Sequence, residues 1–163
     1  MTILVVLWIH TVQKRAEAYT VVETIIVLLF LAAFAVVAIP RINFSAITKR
    51  KADTLARKIT TDLRRTRTLA LSNAANNTEG FGVYMLGSSP YSGYEIRNID
   101  TSAVVDSHTI TSGISCTGGA TFKFGPFGDL LAGSDTSVTL SAEGKTFTIT
   151  IIAATGMVKC VES

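Results

Sequence analysis

Two cysteines, two histidines and a thin scatter of acids are the only residues of this 163-residue chain that could do chemistry. Cys116 and Cys160 have no second Cys pair and no nearby His at metal-ligand spacing, so zinc is not indicated. They leave two readings open. One is a disulfide, worth about 4 kcal/mol in chain-entropy terms and implying an oxidising compartment; the other is two free thiols in a core. His108, in Ser107-His108-Thr109, reads as a polar strand-end or loop histidine, and His10 lies near the start. Asp100, Asp106, Asp129 and Asp135 are too dispersed for a calcium loop, and no nucleophile elbow, phosphate-binding glycine loop or H-E-x-x-H is present. The reading is therefore no catalytic residue, no metal and no cofactor.

Glu23 is the acid whose position most needs explaining. It stands alone near the start of a run of about twenty apolar residues ending at Pro40, a helix of about 30 Å, enough for a bilayer's hydrocarbon core. A carboxylate at the centre of such a span costs about 2.5–3.5 kcal/mol. Either Glu23 sits shallow, at the positive end of the helix, or it neutralises an amine created by cleavage after Ala18, which makes Tyr19 the N-terminus one turn away.

The pattern of small Ala18, aromatic Tyr19, Thr20, Glu23, an apolar run and Pro40 resembles the class III signal of type IV pilins and type II secretion pseudopilins. Ala18 stands where glycine is usual and Tyr19 where phenylalanine is commonest. The resemblance implies that a prepilin peptidase removes residues 1–18, that Tyr19 is N-methylated, and that the apolar helix packs in a filament core, with Glu23 and Pro40 serving assembly. A domain anchored this way lies outside, which favours the Cys116–Cys160 disulfide.

Charge is divided unevenly. Residues 41–67 carry nine Lys or Arg against Asp53 and Asp62, a net of +7, whereas residues 68–163 carry four basic residues against eight acids. Such a segment can be a solvated helix face, a contact for anionic lipid headgroups through Arg41 and Lys49 to Lys51, or a phosphate-binding surface for DNA. Arg64, Arg65 and Arg67 are the candidate anion or partner contacts.

Beyond Pro40, where a kink is expected, Ala52, Leu55, Ile59, Leu63, Thr66, Ala70 and Ala74 recur at helical spacing. From Gly80 the period becomes that of strands, with segments starting at Phe81, Tyr94, Ala103, Thr121, Ser137 and Thr146, and a short last one at Met157. Ala142-Glu143-Gly144 marks a hairpin. Leu63-Arg64-Arg65-Thr66-Arg67, then Gly82-Val83-Tyr84, Phe122-Lys-Phe-Gly-Pro-Phe-Gly128, Val138-Thr-Leu140 and Gly156-Met-Val158, in this order, resemble the GspH/FimT group of minor pilins and pseudopilins.

The expected fold is α+β and pilin-like: a long N-terminal helix with a transmembrane first half, packed on an antiparallel sheet head. The expected divisions are a leader at 1–18, a membrane and filament-core helix at 19–40, its periplasmic half at 41–75 and a β-rich head at 76–163. The resemblance implies a non-enzymatic minor pseudopilin of a type II secretion pseudopilus, at the inner membrane with its head periplasmic. Its partners would be other pseudopilins or pilins, the prepilin peptidase, the assembly platform and the bilayer. The alternatives are a minor type IV pilin of a pilus or DNA-uptake apparatus, with DNA as a partner, and a membrane-anchored periplasmic enzyme.

Overall fold

The computed structural model describes residues 20–38 and 44–163; Ala18, Tyr19, Pro40 and Arg41 lie outside the described residues. Two units are distinguished, one ending at Asn43 and one starting at Phe44. The described part of the first is helix α1, Val21–Ala38. The second contains helix α2, Phe44–Ser72, and eight strands: β1 Phe81–Leu86, β2 Gly93–Asn98, β3 Val104–Thr109, β4 Ser115–Gly118, β5 Thr121–Phe124, β6 Ser137–Ala142, β7 Lys145–Ile152 and β8 Met157–Glu162.

The α+β class holds, but two features of the expected architecture are corrected. Among the described residues no helix is long and apolar enough to cross a membrane. Helix α1 has 18 residues, and the expected transmembrane first half of one long helix is not found among the described residues. The head is also two sheets rather than one, ordered β3-β2-β1-β5 and β4-β6-β7-β8. The chain leaves the first sheet after β3, lays down β4 in the second, and returns so that β5 runs antiparallel to β1, with Val83 opposite Phe122. Strand period alone says which face is apolar, not which strands become neighbours.

Helix α2 forms because its apolar positions repeat at steps of three and four. It buries Ala52, Ala56, Ile59, Leu63, Thr66 and Ala70, with Leu55 partly buried beside them. Small Ala52, Ala56 and Ala70 let the helix backbone approach the β-strands closely, while Ile59 and Leu63 fill the centre. The helix packs against β1 and β5 of one sheet and β6, β7 and β8 of the other. Tyr94, Ile96, Phe122, Phe124, Leu140, Phe147 and Ile149 complete the core. At about 25 cal/mol per Å² of apolar area, each such side chain contributes roughly 1.5–3 kcal/mol.

The β6–β7 hairpin closes through Glu143 and Gly144, with φ of 50° and 79°. Two consecutive positive φ values give the turn whose twist matches the flanking strands, and glycine takes its second position without a side-chain clash. Gly156 is required for a different reason: a Cβ there would stand 2.0 Å from the Gly128 carbonyl oxygen.

Candidate functional site

Helix α1 begins with a cap. Thr20 precedes it, and the Glu23 N–H donates to the Thr20 Oγ1 at 3.3 Å and to its carbonyl at 2.9 Å. Thr20-x-x-Glu23 is the residue pattern of a capping box, and the acid lies in the first turn, where the helix dipole favours negative charge. The rest of α1 is an apolar rod: Ile25, Leu28, Leu29, Phe30, Leu31 and Phe34 are between 51 and 69% exposed. Exposure on this scale exceeds what isolated surface hydrophobics present.

A second constellation joins α2 to the first sheet. Asp62 is buried, and its Oδ2 accepts the Tyr94 hydroxyl at 2.6 Å. Lys58 Nζ stands 3.5 Å from the same oxygen. His108, on β3 opposite Tyr94, puts Nε2 3.5 Å from Asp62 Oδ2 and 3.3 Å from Asp106 Oδ2; that nitrogen is buried and makes no hydrogen bond of good geometry. Asp106 in turn accepts from Arg65 Nη1 at 2.8 Å.

Burial, reinforced by the hydrogen bond to Asp62, pushes the Tyr94 hydroxyl far above the ordinary phenol range. It therefore stays a donor. The Arg65 hydrogen bond holds Asp106 below its ordinary carboxyl value, so it stays an anion and an acceptor. The arrangement fixes a carboxylate in the interior and ties helix to sheet. It brings together a histidine, two acids and a tyrosine, but no activated nucleophile.

Each candidate arginine has an intramolecular partner. Arg64 donates to the Val158 carbonyl at 3.0 Å, Arg67 Nε to the Gly128 carbonyl at 2.9 Å, and Arg65 to Asp106. Their forked guanidinium groups staple α2 to the strands and to the Gly125–Gly128 turn. The cations without an ion pair among the described residues include Lys49, Arg50 and Lys51 at the start of the same helix.

The expected disulfide is also corrected. Cys116 and Cys160 are free thiols, on β4 and β8, the two outer strands of the second sheet. Three strand spacings amount to about 14 Å, twice the Cα separation of about 7 Å that a disulfide tolerates. Cys116 is fully buried, and burial pushes its thiol up to about 11.

Asp62 and Tyr94 escaped the sequence reading. Asp62 lies at i+3 from Ile59 and i−4 from Thr66, on the buried stripe, so helical spacing was the available signal. Nothing local pointed to Tyr94 as its partner, since the pair is 32 positions apart. Among the described residues, no group of three or more His, Cys, Asp or Glu could hold a metal ion. No protein-family model, curated protein or solved structure matches the chain.

Proposed function

We propose that the protein is a structural subunit of a filament, of the minor pseudopilin kind, joined to its neighbours through α1. The observation that supports this most is the rod itself: an apolar helix exposed along its length, with its only acid in the first turn. Packing against like helices removes this surface from water, at about 25 cal/mol per Å². A mature N-terminus at Tyr19 would supply an amine to pair with Glu23 of the same or an adjacent subunit, selecting the axial register. The two-sheet head, with its own core, then presents the outer surface of the assembly. Type II secretion is the preferred setting. A DNA-uptake pilus is less favoured, because Arg64, Arg65 and Arg67 are engaged within the chain.

The test is recovery of the Glu23→Ala variant with partner pseudopilins, alongside N-terminal sequencing. Cleavage before Tyr19 with reduced recovery is expected; recovery equal to the native protein would show that Glu23 only caps its helix.

An enzymatic reading draws on one observation, the approach of His108 to Asp62 and Asp106. Against it, Tyr94 is wholly buried and Asp62 nearly so, which leaves the cluster little access to a substrate.

A further inference from the structure

The two sheets end in four outer strands, β3 and β5 in one and β4 and β8 in the other. An outer strand presents unpaired N–H and C=O groups and invites another chain unless covered. Two of the four are met from within the molecule, and a third, β8, at one carbonyl and by the edge lysine Lys159. On β5, the Asp135 and Leu131 N–H groups donate to the Thr121 and Lys123 carbonyls. On β4, the Tyr91 N–H donates to the Cys116 carbonyl and its hydroxyl to Gly118. On β8, Arg64 reaches the Val158 carbonyl.

Strand β3 is different. The Ile110 N–H bonds the Ser92 carbonyl, and in the same register the backbones of His108 and Asp106 face β2. Those of Ser107 and Thr109 therefore point away from the sheet. The Ser107 N–H is taken by the Asp106 carboxylate, but the Ser107 carbonyl and both backbone groups of Thr109 meet no partner among the described residues. β3 contains neither Lys nor Pro, and exposes Val104 and Val105.

A groove of about 510 Å³ runs from Thr109 along the first half of α2. Arg50, Lys51 and Lys58 line it with Ile47 and Leu55, and no carboxylate does. Arg50 and Lys51 have no ion pair among the described residues. Open backbone groups, apolar contacts and unbalanced positive charge thus occur side by side.

We propose that β3 receives an extended acidic segment of a partner chain, which adds to the sheet as a further strand and lays carboxylates along Arg50, Lys51 and Lys58. Main-chain hydrogen bonds supply affinity and alternating side chains supply selectivity. A nucleic acid could use the cations but has no backbone to complement the strand. The inference does not depend on the filament reading.

The experiment titrates the full chain, in neutral detergent, with a labelled peptide of alternating glutamate and valine and with its lysine–valine counterpart, following anisotropy. The acidic peptide should bind, and the basic one at least about tenfold more weakly, a ratio within reach of like-charge exclusion. Arg50→Glu together with Lys51→Glu should weaken binding about tenfold or more. Thr109→Pro deletes an N–H that faces away from the sheet and should abolish binding with circular dichroism unchanged. If that variant misfolds, the native protein is titrated with the acidic peptide methylated at every amide, which should not bind. No binding of the acidic peptide, equal binding of the two peptides, or binding that survives Thr109→Pro or amide methylation overturns the proposal. So does an oligonucleotide that binds where the acidic peptide does not.

Discussion

The hydroxyl of Tyr94 donates to the Asp62 carboxylate at 2.6 Å, and this one bond links the buried face of α2 to the centre of the first sheet. A hydrogen bond to a charged group contributes about 1.5–3 kcal/mol. Tyr94→Phe should therefore destabilise the protein by about that much, because it leaves a buried carboxylate short of a donor. Denaturant unfolding measures it, and a loss within experimental error would mean that Lys58 and water suffice. The raised Tyr94 value adds an alkaline signature: the phenol ionises more readily in the unfolded chain, so its contribution is lost as pH rises above the ordinary phenol value of 10.0.

Asp106 supplies the acid counterpart. Its carboxyl is held below 3.8 by the Arg65 hydrogen bond. The folded state therefore binds the proton less readily than the unfolded state, and the stabilisation is present above that value and lost as pH falls through the lowered one. Arg65→Ala should leave the melting temperature unchanged at the acid end and lower it slightly at neutral pH, the loss being small because the pair is partly exposed, so that the acid limb of the profile becomes flatter.

The two thiols should differ in reactivity. Cys160 is half-buried and Cys116 wholly so, with its thiol pushed up to about 11. Alkylation without reductant should label Cys160 in the native protein and Cys116 only after unfolding. Stability linked to Cys116 is complete below the ordinary thiol value of 9.0 and declines as pH rises toward about 11. Absence of any free thiol in the isolated protein would revive the bridge.

Glycine replacement should separate close approach from backbone strain. Gly144 has φ of 79° with nothing within 4 Å of an added Cβ, so Gly144→Ala should cost about 1–2 kcal/mol, the left-handed backbone penalty alone. Gly156→Ala adds a clash with the Gly128 carbonyl and with Arg67, and should cost more than about 4 kcal/mol, the range of structural disruption. Equal losses in denaturant unfolding would show that the turn at Gly128 yields without cost.

Local features were legible in the order of residues alone. Spacing of Ala52, Ile59, Leu63, Thr66 and Ala70 specifies the buried face of α2, because residues three and four apart share one side of a helix. Richness in aromatic and β-branched residues, often alternating with polar ones, specifies six of the strands and Ala142-Glu143-Gly144 a hairpin, because strand preference and positive-φ turns are properties of a few neighbouring residues. β4 was missed, being four residues long with only Cys116 fully buried. What depends on distant partners was decided by the tertiary structure. It divided the strands between two sheets, held Cys116 and Cys160 on opposite edges, turned Arg64 and Arg67 inward to carbonyls, and set Asp62 against Tyr94 and His108. Each of these joins residues far apart in the chain, and a side chain's type states what it can bond to but not which surface the fold will bring within reach.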